Sequence, residues 1–430
     1  MGRGFIQETM NRVKGALKVL KPDSHTERLI TLVRGKTILG VLLISFMVRF
    51  SLFCVDGYEI DLSTFYAWFY NAAEYGPQDF YTVTWCDYPP FNVYIFLIFG
   101  HLGKCLSLFG KSSTVYIVKL PSNLFDIATS FLIFNFLRRR VDVNSPLAIT
   151  SLYAFNPATI FNTSIWGQYD AIYTFFLIVS LLSIIDSKLK LSVIALTIGI
   201  LTKPQSIALA PLIGFLIAEK YRWKGMVTAV LVSAATLFVL IIPFRWGNPL
   251  DFLLKIYLEG YGTYSFNSIN AFNVWAFAGF WKTDTEPFLF FLNSFTIGWI
   301  MFGALMIFSL YTLHKGTQQE ARLIFSAFIL LVGFFMLPTR IHERYLFPAF
   351  SFLILTLPFI KQARPIYGAL TLTYLSNQAY VLLFLNAGRF IPDLDPFVWI
   401  VSMANLAAFL YSLLIMSNGK IMSKGKMEKT

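Results

Sequence analysis

The sequence predicts an all-α integral membrane protein with about twelve transmembrane helices, and three observations predict it. Of its 430 residues, 56% are hydrophobic and only 13% are charged, with a mean hydropathy of +0.63. This composition excludes a soluble globular domain, a disordered chain and a nucleic-acid-binding module. Apolar runs of roughly the ~20 residues that a bilayer requires recur along the chain. Basic residues crowd into alternate connections between those runs, as the positive-inside rule demands. The net charge of +12 is therefore read as membrane topology and not as affinity for nucleic acid.

Residues 1–36 lack the short apolar core and small-residue cleavage site of a signal peptide. Ile6, Met10, Val13, Leu17 and Leu20 recur at helical spacing with Arg12, Lys14, Lys18 and Lys21 between them, which predicts a basic amphipathic helix on the cytoplasmic leaflet. Thirteen apolar runs follow, at 37–55, 91–109, 115–137, 146–164, 170–185, 189–202, 204–219, 225–243, 288–313, 322–337, 344–360, 365–386 and 396–416. If all thirteen spanned, Arg138–Arg140 and the Lys188, Lys190 loop would fall outside. If 91–109 lies along the outer interface, every basic loop falls inside, where 24 basic residues face 8 acidic ones. The chain then divides into the cytoplasmic helix 1–36, a transmembrane module 37–243 with an outer loop 56–114, a second long outer loop 244–287, a C-terminal module 288–416 and a basic cytoplasmic tail 417–430.

The unusual residues gather on the outer face, where long loops carry function. The first loop opens with Asp56-Gly-Tyr-Glu59-Ile-Asp61 and an aromatic stretch suited to the headgroup layer. It continues through Trp85-Cys-Asp87-Tyr88-Pro89-Pro90, with Pro90 fit for the first turn of a horizontal helix. Short outer turns add Trp166-Gly-Gln168-Tyr-Asp170, Lys203-Pro-Gln205 and Arg340-Ile-His342-Glu343-Arg344. Ionisable groups at membrane depth are costly and usually functional. Cations beside lipid, on the face that also holds Glu59, Asp61, Asp87 and Asp170, suggest a phosphate site facing an acid–base site. Each residue also has a plainer reading: Asp61 as a helix N-cap, Asp170 as an acid at a helix N-terminus, Lys203 as a snorkelling cation, the 342–344 triplet as an interfacial anchor. Lys119 and Asp126 lie seven apart on one helix, which predicts a structural polar contact within the bundle. Asn162-Thr-Ser is a glycosylation triplet at the membrane end of a span, expected to be unmodified.

At these residues the chain resembles the GT-C glycosyltransferases, polytopic enzymes that use polyprenyl-phosphate-linked sugars. The resemblance covers most of 37–360 and rests on five motifs in order: Glu59-Ile-Asp61, Tyr88-Pro-Pro, Asn156-Pro with Trp166 to Asp170, Lys203-Pro-Gln205 and His342-Glu-Arg-Tyr345. The last is similar to a His-Glu-Lys triplet of the dolichyl-phosphate-glucose glucosyltransferases of the endoplasmic reticulum, and the set is similar to archaeal and bacterial members. The resemblance implies inverting transfer of a sugar from a polyprenyl (dolichyl) phosphate donor to a hydroxyl on a glycan, lipid or protein acceptor, at the exoplasmic or luminal side. The membrane would be the endoplasmic reticulum in a eukaryote and the plasma membrane in an archaeon or bacterium.

The residue types suit that chemistry independently. A carboxylate, Asp61 or Glu59, would take the acceptor's proton. Arg340, His342 and Arg344, with Lys203, would hold the donor phosphate. Asp87, Tyr88, Gln168, Asp170, Gln205 and Glu343 would complete the substrate site. No cofactor is required. Glu59 and Asp61 leave open a single divalent cation bound through oxygens, and the four histidines argue against a His-rich zinc site. Cys86 and Cys105 are the pair that would form a disulfide in an oxidising compartment, leaving Cys54 free. Two other classes fit twelve spans. A secondary transporter or flippase of two halves would show repeated organisation, whereas the long loops here follow spans one and seven. A non-catalytic subunit would leave the clustered charges unexplained.

Overall fold

The computed structural model describes residues 24–110, 113–141, 145–316 and 319–418. The amphipathic helix expected over 1–36 and the basic tail 417–430 fall largely outside the described residues. Two units are distinguished: Met1–Ile44, described only over the first part of helix α1 (Ser24–Ser51), and Ser45–Thr430, which holds every site residue.

Among the described residues the regular structure of the second unit is helical apart from a two-stranded antiparallel hairpin, Pro287–Leu289 with Leu292–Asn293, and isolated bridges. Among the described residues, four helical segments are long and apolar enough to cross a membrane: Thr114–Leu137, Pro204–Ile241, Ser294–Lys315 and Pro396–Ser417, the second of them broken at Arg222 (φ 56°, ψ −153°) between the runs expected at 204–219 and 225–243. The protein is an integral membrane protein on that ground. The runs at 37–55 and 365–386 fall in helices of comparable length, Ser24–Ser51 and Ala363–Asn386, and several other runs form shorter ones. The horizontal helix expected at 91–109 is α3 (Phe91–Cys105), ~22 Å long at the α-helical rise. By length alone it resembles α7 (Asp170–Ile185) and α8 (Leu189–Thr202).

Among the described residues three hydrophobic clusters fill the second unit, and two of them frame the site. Helix α2 (Glu59–Val83) bends at Gly76-Pro77 and packs on α3, where Gly100 lets the helices approach until a methyl group there would sit 2.9 Å from the Ala73 side chain. Phe65, Trp68, Phe69, Tyr88, Phe96 and Tyr169 fill the seam, with Phe65 stacked on Tyr169 at 4.3 Å between ring centroids. The larger core surrounds α12 (Glu320–Met336) and α13 (Phe347–Thr356), which are apolar on every side and buried on every side, as that pattern requires.

One run departs from expectation. The 146–164 stretch is not one continuous helix: α5 (Ser145–Ala154) stops before Asn156, whose side chain accepts from the backbone of Ala158 and Thr159 and so starts α6 (Pro157–Ile160). Helix α6 widens into a π turn, Phe161–Trp166, closed by Gly167 in the left-handed region at φ 88°. The polar contact expected of Lys119 and Asp126 on α4 (Thr114–Leu137) is two separate contacts. Asp126 pairs with Arg49 at 2.8 Å and accepts from Tyr153 at 2.6 Å, all fully buried. Lys119 donates instead to the carbonyls of Phe53, Val55 and Ile165, capping the end of α1 and the π turn together.

The cysteine pairing is corrected. Cys54, Cys86 and Cys105 are all free.

Candidate active site

Asp61 lies in the first turn of α2, whose N-cap is Tyr58, and its carboxylate makes no capping hydrogen bond. It turns inward, where Oδ2 accepts from Trp166 Nε1 at 2.8 Å and Gln168 Nε2 at 2.7 Å. Both donors reach it because of the π turn, whose end is tied by two hydrogen bonds from Gly167 N and Gln168 N to the Asn162 carbonyl. A π turn inserts one residue into the helical register and re-aims the side chains beyond it. Among the described residues Asp61 Oδ1 accepts no hydrogen bond. Glu59 is exposed on the outer side of the same turn.

Asp170, the first residue of α7, is fully buried and pairs with Lys203 at 2.6 Å. Lys203 ends α8 and stands 5.4–5.6 Å from the ring centroids of Tyr88, Tyr173 and Tyr345. Burial pushes its ammonium below the usual lysine range, against the pull of Asp170. Asn162 bridges Asp170 at 3.5 Å and Tyr374 Oη at 3.2 Å, and that hydroxyl donates to the Arg344 carbonyl at 3.0 Å. Buried in this chain of bonds, Asn162 is inaccessible to a glycan.

The 338–346 segment carries the remaining candidates. Arg344 Nη1 donates to Glu343 Oε1 at 2.9 Å and lies 3.3 Å from His342 Nδ1. Guanidinium only donates, so Nδ1 is the acceptor and the imidazole proton is assigned to Nε2. Burial, then Arg344 and Lys203, hold His342 well below its usual pKa. His342 is thus a neutral donor, not the cation its sequence position suggests. Burial raises Glu343, with Arg344 opposing.

Arg340 differs from Arg344. It adopts φ 63° and grips Asp284 through Nε at 2.7 Å and Nη2 at 3.0 Å, while Nη1 donates to the Tyr261 carbonyl at 3.2 Å. Thr339 also donates to Asp284, at 2.7 Å. Arg340 therefore lines the site with its guanidinium already committed. Among the described residues Arg344 Nε, by contrast, is buried without a partner, and so is Gln205 Oε1.

A cavity of about 230 Å³ collects these groups. Asp87, Tyr88, Lys203, Gln205, Arg340, His342 and Arg344 line its polar part, and Ile207, Ile256, Trp299 and Phe334 its apolar part. Burial raises the Asp87 carboxyl, with Arg344 and Lys203 pulling the other way. Asp170 and Glu343 stand behind Lys203 and Arg344, off the cavity wall, as do Gln168, Asp61 and Glu59. Among the described residues no group of three or more His, Cys, Asp or Glu side chains converges on a metal position. The two carboxylates Glu59 and Asp61, one exposed and one already accepting two hydrogen bonds, make a poor donor set for a cation that takes six or more oxygens.

Asp284, Asn162 and Tyr374 are absent from the residues that sequence reasoning selected. Asp284 was signalled only as an acid in the second outer loop. Tyr374 belongs to α14 (Ala363–Asn386), which carries no motif, and Asn377 of the same helix accepts from Phe272 N and donates to the Asn270 carbonyl, bracing the loop beside His342.

No family model matches the chain, and no curated protein matches it. Two solved structures from Archaeoglobus fulgidus are similar. One is the archaeal oligosaccharyltransferase AglB, a GT-C glycosyltransferase, in complex with an inhibitory peptide and a dolichol-phosphate, at 12% identity and a TM-score of 0.40 over 92% of this chain and 57% of that one. The other is an oligosaccharyltransferase in the apo form, at 11% identity and a TM-score of 0.38 over 91% and 57%. The chain thus spans a little over half the length of those proteins, and its function has to be derived from its own side chains.

Proposed function

We propose that this chain is a GT-C-type membrane glycosyltransferase with twelve spans, which moves a sugar from a polyprenyl-phosphate donor to an acceptor hydroxyl on the exoplasmic side. The observation that carries the reading is Arg344 Nε, buried and without a partner among the described residues, on a cavity lined by both polar and apolar side chains. A buried donor left unpaired costs ~1–3 kcal/mol, more for a charged group, and a phosphate oxygen would satisfy it. Gln205 Oε1 needs a donor, which a sugar hydroxyl supplies. At 230 Å³ the cavity suits a headgroup, with the polyprenyl chain leaving past Ile207, Trp299 and Phe334 into lipid. The spans and their sidedness rest on the distribution of basic loops.

The chemistry follows from the groups. The acceptor oxygen attacks the anomeric carbon, the bond from that carbon to the phosphate oxygen breaks, and the lipid phosphate leaves with its electron pair. Single displacement inverts the anomeric centre. Arg344 and Lys203 balance the charge that develops on the phosphate, and His342 donates through Nε2 without adding charge. The acceptor's proton passes to a carboxylate general base. Asp61 is assigned that role because Trp166 and Gln168 lock one oxygen and leave the other available.

Purified protein incubated with a panel of polyprenyl-phosphate hexoses and candidate acceptors should release the lipid phosphate and glycosylate an acceptor. Asp61→Asn should lower turnover at least ~100-fold, the scale of general-base removal. Wild-type protein inert toward every donor, yet moving a lipid or solute across vesicles, would overturn the reading in favour of a transporter.

A further inference from the structure

A second cavity, of about 380 Å³, adjoins the first, and Asp87, Ile256 and Gly260 line both. The partition is thin: a methyl group on Gly260 of α10 (Pro249–Gly262) would lie 3.5 Å from the Asp87 carbonyl oxygen and 3.8 Å from its Cβ. The chemistry of the two chambers differs. Neither Lys203 nor Arg344 reaches the second, and Arg245 on its wall is already paired with Asp79 at 2.9 Å. Its lining instead combines two indoles, Trp85 and Trp246, with Asn248, Asp251 and Lys255.

Trp85 is 66% exposed, while Trp246 is anchored by Nε1 donating to the Ile241 carbonyl at 2.8 Å. Asp251 and Lys255 are one turn apart on α10, both exposed, and among the described residues neither joins an ion pair. Their hydrogen-bonding capacity is unspent. Exposed aromatic surface on a cavity wall is a face that a ligand can cover.

We propose that this second cavity is the acceptor subsite, and that its occupant is a carbohydrate. The inference rests on the glycosyltransferase reading and deepens it. A sugar ring offers C–H faces to indoles and hydroxyls that both donate and accept. Asp87 and Asp251 accept from those hydroxyls, and Lys255 and the Asn248 amide donate to them. The volume falls in the range of small-ligand sites. Among the described residues the cavity walls offer no strand edge for an extended peptide to pair with, since the hairpin lies at 287–293. In the transfer, an acceptor hydroxyl held in the second cavity forms the bond to the donor's anomeric carbon as the carbon–phosphate-oxygen bond breaks. Its proton goes to the carboxylate general base, and Asp87, the one carboxylate that lines both cavities, serves as a positioning residue through a neighbouring hydroxyl.

The test is saturation-transfer NMR on the full-length protein in micelles, with methyl glycosides of common hexoses and N-acetylhexosamines as probes and short unstructured peptides as the comparison. Wild type should bind at least one glycoside saturably. Trp246→Ala and Lys255→Ala should each weaken it at least tenfold, Trp246→Phe should restore most of the loss, and affinity for polyprenyl phosphate should stay within twofold in all three. Exposed Lys255 makes its variant informative even if Trp246→Ala folds poorly. Glycoside affinity untouched by these changes, or peptides that bind with losses in the same variants, would overturn the inference. So would lipid-phosphate release to other acceptors with no glycoside bound, which leaves the glycosyltransferase reading standing. Absence of both polyprenyl-phosphate binding and release would fail that reading first and this one with it.

Discussion

Lys203 and Asp170 form a buried ion pair beside the proposed phosphate, and breaking it separates a structural role from a substrate role. Their side chains are 5% and 0% exposed, and Nζ lies 2.6 Å from Oδ1. Lys203→Met keeps the length of the side chain but strands the Asp170 carboxylate, whose other side-chain contact is Asn162 at 3.5 Å. Removing one partner of a buried pair costs ~3–5 kcal/mol. Asp170→Asn should sit at the lower end, because the stranded ammonium keeps three tyrosine rings within 5.6 Å. Removing both charges should recover most of the loss, leaving the double variant within ~1–2 kcal/mol of wild type, since buried pairs replaced by neutral groups are often tolerated. Thermal unfolding in detergent should therefore rank the double variant above Lys203→Met. Its donor affinity should nonetheless stay depressed, because the ammonium facing the phosphate is gone. A double variant as unstable as Lys203→Met would refute the pairing argument, and one with wild-type donor affinity would remove Lys203 from the phosphate site.

The other predictions concern neighbouring groups. Arg344→Lys should weaken donor use despite keeping the charge, since ammonium lacks the planar fork, and Arg344→Ala should weaken it further; equal changes at exposed Arg389 should leave donor KM unaltered. His342 is held neutral when folded, so protonation below its unfolded pKa, ~6.5, favours the unfolded chain and stability falls by up to ~1.4 kcal/mol per pH unit as pH drops toward the folded value. His342→Gln should remove that component from the melting temperature between pH 7.5 and 5.5, and an unchanged slope would contradict the buried neutral imidazole. Asp284→Ala strips Arg340 of its carboxylate and should destabilise the protein by on the order of 3 kcal/mol, measured by denaturation in micelles, with turnover falling as the 339–342 turn loosens.

The membrane class and most of the site were legible because hydropathy and charge are local properties. Ionisable residues that open apolar runs, at 203 and 340–344, stand out in any window, and the cavity does gather Lys203, Arg340, His342 and Arg344. Their state was not legible, because it depends on partners far along the chain. Arg340 and Arg344 look equivalent four residues apart, yet Asp284 occupies one guanidinium and leaves the other with an orphaned Nε. Asp126 likewise takes Arg49, on another helix, over Lys119 on its own. The π turn at 161–166 was invisible because its apolar run reads like any helix, and one extra residue per turn leaves no compositional mark. That turn is what carries Trp166 and Gln168 to Asp61.

The claim on which the account depends is that the first cavity binds a lipid-linked phosphate through Arg344. Phosphorus NMR of a polyprenyl phosphate titrated into the full-length protein in micelles measures this without requiring the right sugar or acceptor. The account predicts saturable binding in wild type, a loss of at least tenfold in Arg344→Ala, and no change in Arg389→Ala. Absence of saturable binding in wild type, or equal affinity in wild type and Arg344→Ala, would contradict it.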